Sequence, residues 1–405
     1  MNHLPKARVI GVMVVGLLNC EAAQISAPRA ATAPPAALVG DTAANGASMP
    51  VLSADGKYAA FVSRAPNLVT NPTTGKYQIF LRNLTNGGLI LVSTTPAGTG
   101  GNGHSMLPSF SSSGIWIAFE SDASDLVPDD TNGVTDIFIR DIGHQTTWMV
   151  TGGNGPSRNP MRSSNGCIAF DSRASNLVPD DNNNAQDVFI NGGDPETTAL
   201  VSVNLAGTGS ADGASELLAI TPNGRFVAFW SDATDIISGA VNDAGEVYVR
   251  DVQAGVSYCL TKGLGIFGNN RRLKIALTPD GQYAALQELS YGGAAPGGRL
   301  FRADVFGGSI SNIYCCGWPG PGLAISDDGS RLIFPGSDGL YLRDMLSTNR
   351  LLVRDPASAF QSPLNIESFQ VSRNFDRLWF TMLVTNRGQQ LFSYDIATDQ
   401  TSLVS

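Results

Sequence analysis

Four copies of one nine-residue pattern, F-x-S-x-A-x-x-[LI]-[VI], limit what this chain can fold into. They are FVSRAPNLV (Phe61–Val69), FESDASDLV (Phe119–Val127), FDSRASNLV (Phe170–Val178) and FWSDATDII (Phe229–Ile237). Each sits at the same phase of a longer unit, clearest at Leu107–Thr151. There the apolar runs PSFS, IWIAFES, DIFIRDI and TWMVT alternate with SSSG, a polar loop carrying LVPDDTNG, and GHQT. Short runs rich in Ile, Val, Phe and Trp between turn signals predict antiparallel strands, designated a to d. A glycine in the a–b turn marks the phase at Gly56, Gly114, Gly166, Gly224, Gly281 and Gly329, and Phe375 takes its place in a seventh, weaker unit. The intervals are 58, 52, 58, 57, 48 and 46 residues.

Four strands per unit at such spacing predict an all-β fold, a seven-bladed β-propeller of four-stranded antiparallel blades. The blades fall at about 49–93, 107–151, 160–203, 216–261, 273–316, 322–354 and 368–405, within one domain spanning 37–405. No segment shows sustained 3.6-residue periodicity, so almost no helix is expected. The aromatics ending strand b (Phe61, Phe119, Phe170, Phe229, Phe334, Phe380) and those within strand c (Phe80, Phe138, Phe189, Tyr248, Phe301, Tyr341, Phe392) are expected to pack between blades. The repeat overrides the two or three domains that 405 residues would otherwise suggest. A net charge of −9 argues against nucleic acid, whose phosphates need a basic face.

Residues 1–23 read as an export signal: Lys6 and Arg8 precede the apolar run Val9–Leu18, and Ala22 and Ala23 follow. The run is too short for a stable membrane span, and no second one exists. LLNC (Leu17–Cys20) resembles a lipoprotein box, although Asn19 stands where a small residue is usual, so a lipid anchor at Cys20 is the alternative to cleavage. Residues 24–36 read as a disordered linker. A periplasmic or extracellular monomer is expected. Cys167, Cys259, Cys315 and Cys316 remain after export. Cys167 falls in strand b of blade 3, and Cys259 and Cys315 fall in outermost strands, which splay apart; this favours free thiols over disulfides, with a vicinal Cys315–Cys316 bond as the rare alternative.

In a four-stranded meander the b–c and d–a loops share one face, and in blades 1–4 these are the long ones. Loops longer than connection requires are where binding resides. That face carries D-x-N-x-x-x-D twice: Asp130, Asn132, Asp136 and Asp181, Asn183, Asp187. Oxygen-rich loops of this kind suit Ca²⁺, the one cofactor suggested, but the same residues also build Asx-turns between strands. Blades 1 and 4 lack the pattern. Arg64, Asp122, Arg173 and Asp232 share one repeat position after strand b, where alternating charge suggests inter-blade ion pairs. With His104 they form the candidate ligand-binding set.

Nucleophilic catalysis finds little support. Outside the export segment only His104 and His144 remain, and no G-x-S-x-G, H-E-x-x-H, C-x-x-C, P-loop or dinucleotide fingerprint occurs. Asp122, Asp125, Asp171 and Asp232 supply carboxylates that glycoside chemistry would need.

At FESDASDLVPDDTNGVTDIFIRD and FDSRASNLVPDDNNNAQDVFI the chain resembles the TolB-like, WD-repeat-like β-propeller family. Ser53–Gly56, Thr278–Gly281 and Ser326–Gly329 match its S-x-D-G turn; Asp136–Asp141 and Glu246–Asp251 match its D-[IV]-[FY]-[VI]-x-D strand. The resemblance implies a propeller over about Val51–Ser405 and leaves function open, since such repeats serve periplasmic adaptors and lyases alike. Seven units depart from the six usual of the periplasmic translocation protein. The expectation is an exported, non-enzymatic module binding a protein, peptide or glycan on the long-loop face; the alternative is a polysaccharide-acting lyase or hydrolase using carboxylates or a metal there.

Overall fold

A computed structural model of the chain describes residues 48–53, 57–111, 114–192, 197–239, 245–262, 264, 271–290, 297–315, 322–335, 340–345, 350–353, 366–371, 375–384, 388–398 and 400–403. The export segment, Cys20, the linker, residues 37–47 and Cys316 lie outside them. Among the described residues there is no α-helix, hence none long and apolar enough to cross a membrane.

The described residues form twenty-eight strands in seven antiparallel sheets, each of four strands consecutive in sequence. Sheet 1 holds β1 (Ser48–Leu52), β2 (Tyr58–Ser63), β3 (Gln78–Asn83) and β4 (Leu89–Leu91). Sheet 2 holds β5 (Ser105–Phe110), β6 (Trp116–Ser121), β7 (Asp136–Asp141) and β8 (Thr146–Met149). In sheet 3 they are β9 (Ser157–Arg162), β10 (Ile168–Ser172), β11 (Asp187–Asn191) and β12 (Thr198–Leu200). Sheet 4 follows with β13 (Ser215–Ile220), β14 (Phe226–Ser231), β15 (Glu246–Asp251) and β16 (Val256–Cys259). Next comes sheet 5, made of β17 (Arg271–Leu277), β18 (Tyr283–Ser290), β19 (Gly297–Asp304) and β20 (Ser309–Cys315). The short strands β21 (Ala324–Ile325), β22 (Arg331–Pro335), β23 (Leu340–Asp344) and β24 (Arg350–Val353) make sheet 6. Sheet 7 uses β25 (Ile366–Val371), β26 (Arg377–Val384), β27 (Gly388–Asp395) and β28 (Gln400–Leu403), so it borrows no strand from sheet 1.

The first strands of successive sheets, β1, β5, β9, β13, β17 and β21, adjoin one another and are innermost. Fourth strands are outermost, and Ile90, Trp148 and Val256 on them remain exposed. Between each sheet and the next lies an apolar layer. Ala60, Val62, Ile79 and Leu81 of sheet 1 meet Phe119 and Phe138 of sheet 2, and equivalent layers follow down to sheets 6 and 7. Phe119, Phe138, Phe170, Phe189, Phe229 and Tyr248 lie in these layers, whereas Phe61 and Phe80 cluster with Ala65, Leu68, Val69 and Leu91 of their own unit. Phe61–Phe80, Phe119–Phe138, Phe170–Phe189 and Phe229–Tyr248 are directly opposed b–c pairs, with centroids 5.5–5.8 Å apart.

Strands β5 and β9 begin earlier than the repeat suggested, at Ser105 and Ser157 rather than near the prolines that follow. A bulge sets two residues against one aromatic: Met49–Pro50 opposite Phe61, Leu107–Pro108 opposite Phe119, Asn159–Pro160 opposite Phe170. Met49, Leu107 and Asn159 take φ of 51°, 51° and 55°. Proline lacks an N–H, and a bulge is where a strand can omit a ladder bond. Proline therefore marks the bulge, not the strand's first residue.

Candidate functional site

The recurrent serine of F-x-S-x-A turns the chain out of strand b. Ser63, Ser121, Ser172 and Ser231 each accept the backbone N–H two residues on, at 3.0–3.1 Å. Their hydroxyls also meet the first residue of strand a, as in Ser105–Ser121, Ser157–Ser172 and Ser215–Ser231, all at 2.9 Å. The alanine that follows is buried in every copy. Burial without vacant polar atoms makes this motif structural.

A second motif, G-N-G-x-S in the d–a loops, was not singled out in the sequence, although Gly101–Ser105 and Gly153–Ser157 repeat it and Ala211–Ser215 varies it. Asn102 receives the Ser124 N–H and donates its own N–H to Asp125; Asn154 does the same with Ser175 and Asn176. These bonds place the d–a loop and the start of the b–c loop on one face, as the strand parity required.

The five candidate binding residues lie on that face. Asp122 and Asp232 are exposed, and each accepts the N–H of the residue preceding strand a, His104 and Ala214 respectively. In sheet 3 that residue is Pro156, which has no N–H to give, and the repeat position carries Arg173 instead. The expected ring of ion pairs is therefore corrected: among the described residues none of Arg64, Asp122, Arg173 or Asp232 forms one, because the aspartates answer backbone donors. Arg173 is exposed, its Nε 3.5 Å from Gln186. Three of the five come together where sheets 1 and 2 join. The His104 ring accepts the Tyr77 N–H on Nδ1 at 3.1 Å and lies 5.4 Å from the Tyr77 ring, with Arg64 on that ring at 5.6 Å. His104 is thus a half-buried, bonded side chain rather than a solvated one.

The D-x-N-x-x-x-D residues tie one unit to the next. Asn132 donates to Asp136 at 2.7 Å and to the Gly153 carbonyl at 3.0 Å, and Asn183 donates to the Ala211 carbonyl at 2.6 Å. Asp136 and Asp187 start strand c, buried, and take the hydroxyls of Thr151 (2.7 Å) and Ser202 (2.5 Å). Burial pushes both carboxyls up to about 6, against those hydrogen bonds. Asp130 and Asp181 are also buried. Among the described residues no three His, Cys, Asp or Glu side chains form a metal-holding group.

A chain of buried polar contacts that the sequence did not reveal crosses the inner strands. Asn159 donates its N–H to Glu120 at 2.9 Å and its amide to Asp171 at 3.2 Å, and Asp171 accepts the Leu217 N–H at 2.5 Å. Burial raises Asp171 to about 7 despite these donors, and the charges of Glu216 and Glu120 add to the effect. An unfolded aspartate ionises near its ordinary 3.8, so between that pH and about 7 the native state binds more protons than the unfolded one. Stability then falls as pH rises through this window and levels off above it; Asp136 and Asp187 act with the same sign. Thermal melts should show Tm dropping from about pH 5 to about pH 7.5, with a smaller drop in Asp171→Asn. Equal slopes would refute the assignment.

His144 lies on the opposite face, bonded to Asp141 at 2.8 Å. Cys167 and Cys259 are free thiols at the edge of the layer between sheets 3 and 4.

No protein-family model matches the chain, and no curated protein sequence does. Solved structures do. A prolyl endopeptidase matches with TM-score 0.55 and 12% identity over 89% of this chain, which spans about half (49%) of that one. The β-propeller domain of the Trilobed protease from Pyrococcus furiosus matches with TM-score 0.51 and 15% identity, over 89% of this chain and 95% of that one. An oligogalacturonate lyase in complex with manganese gives 0.50 and 12%, over 86% and 88%. At such identities the likeness shows the fold, a β-propeller.

Proposed function

We propose that this is an exported, TolB-like propeller of seven blades that binds a protein, peptide or glycan on the face of the b–c and d–a loops, without catalysis. The observation that carries the reading is the Arg64–Tyr77–His104 cluster at the joint of sheets 1 and 2, with Arg173 presented at the same repeat position two sheets on. A guanidinium over an aromatic ring, on loops locked by hydrogen bonds, offers a preorganised polar and π surface to sugars or peptide side chains. Closure into seven blades is supported by the seven four-stranded sheets and by the contacts between first strands of successive sheets.

The second reading, a polysaccharide-acting enzyme, draws support from the lyase among the structures of like fold. Glycan and peptide arrays on the full chain separate the two. Saturable binding with no new reducing or unsaturated ends is expected, and Arg64→Ala should weaken it at least about tenfold while Tm is unchanged. Turnover of a bound glycan would displace the binding-module reading; unaltered affinity in Arg64→Ala would move the site elsewhere.

A further inference from the structure

The b–c loops of sheets 2 and 3 hold more negative charge than the fold needs. Sheet 1 provides the comparison within the same molecule, with Pro72, Thr74 and Gln78 at the positions of Asp130, Asn132 and Asp136. Those neutral residues make the same ties. Thr74 and Gln78 donate to the Gly101 carbonyl at 2.7 and 2.9 Å, and Gln78 accepts the Ser93 hydroxyl at 2.6 Å. Joining one unit to the next thus requires no carboxylate. The b–c loops of sheets 2 and 3 nevertheless bury two each, Asp130 with Asp136 and Asp181 with Asp187, at 0–7% exposure.

One oxygen in each loop is enclosed and unanswered. Asp130 Oδ1 and Asp181 Oδ1 have no hydrogen-bond partner. The same atom is orphaned in both copies. Each orphan belongs to a carboxylate whose charge reaches its partner six residues on, since Asp130 acts on Asp136 and Asp181 on Asp187. Buried carboxylate oxygens left unpaired cost several kcal/mol in general unless a counter-charge meets them. Neither loop contains a Lys or Arg to do so, and a carboxylate oxygen that accepts one hydrogen bond keeps a lone pair for a ligand.

We propose that the loops Asp130–Asp136 and Asp181–Asp187 each bind one hard divalent cation, for which Ca²⁺ is the fitting ion, through their paired carboxylates. Oxygen donors without His or Cys select Ca²⁺ over zinc or copper, and backbone carbonyls and water complete a shell of six to eight. The two ions would sit on the loop face, bracing the segments that carry Asp122 and Arg173.

Isothermal titration of the chelator-treated full chain with CaCl₂ should give two sites, one in Asp130→Asn or Asp181→Asn, and none in the double variant. Tm in EDTA should rise by about 2–5 °C on adding saturating Ca²⁺ to the wild type, and not at all in the double variant. No heat and no Tm change in the wild type would overturn the proposal, as would two sites persisting in the double variant. Should the double variant fail to fold, the single-variant stoichiometries decide. Array binding repeated in EDTA tests the ligand face separately, so the failure of one reading is distinguishable from that of the other.

Discussion

Phe119→Ala should lower the free energy of unfolding by about 3–5 kcal/mol. Phe119 is fully buried and stacks on Phe138 at 5.8 Å with 22° between planes. It also fills the layer against Ala60, Val62, Ile79 and Leu81 of the preceding sheet. Truncation loses the transfer energy of a ring and leaves a cavity that two sheets, held apart by their other side chains, cannot close. Equilibrium urea denaturation measures the change. Trp148→Ala on the same sheet is a control: it is 42% exposed on an outer strand and should cost far less. A loss below about 1 kcal/mol for Phe119→Ala would mean that the sheets do not pack through their b–c aromatics.

Gly155→Ala should cost roughly 1–3 kcal/mol or somewhat more, although only one methyl is added on a polar loop. A Cβ at Gly155 would lie 2.6 Å from the Arg173 carbonyl oxygen and 2.8 Å from the Ala174 nitrogen. Both are backbone atoms of the F-x-S-x-A turn, so no side chain can swing away to relieve the contact. In sheets 2 and 4, Gly103 and Gly213 meet the same turn as closely, at 2.3–2.7 Å. The absence of a side chain therefore lets the d–a loop lie against the start of the b–c loop. Gly100→Ala, whose Cβ would find ordinary contact at 3.4 Å, should cost no more than about 1 kcal/mol. Equal costs at the two positions would remove the close approach as the explanation.

Much of the fold was readable because its determinants are local and repeated. A serine that accepts a hydrogen bond two residues away leaves the same signature in every copy. So does an aromatic that must oppose another across one strand pair. The early starts of β5 and β9 were not readable: proline normally signals a strand's margin, and only the bulge shows how Pro108 and Pro160 sit inside one. The charges misled for a related reason. Arg64, Asp122, Arg173 and Asp232 look like an alternating ring, but Asp122 bonds a backbone N–H eighteen residues before it, and Pro156 removes that donor in the copy that carries Arg173.

From its sequence alone this protein is legible as a repeated four-strand meander with its strand order, its inter-sheet aromatics and its long-loop face. All of these follow from residue spacing and from side-chain alternation along a strand. Tertiary structure alone decided which polar side chains on that face are occupied and which remain open to a ligand or ion. A carboxylate's use depends on the donors that come within about 3 Å of it. Here those donors arrive from neighbouring sheets, as the Leu217 N–H of β13 reaches Asp171 and the Asn159 N–H of β9 reaches Glu120. Sheet-to-sheet packing brings them there, and no local pattern encodes it.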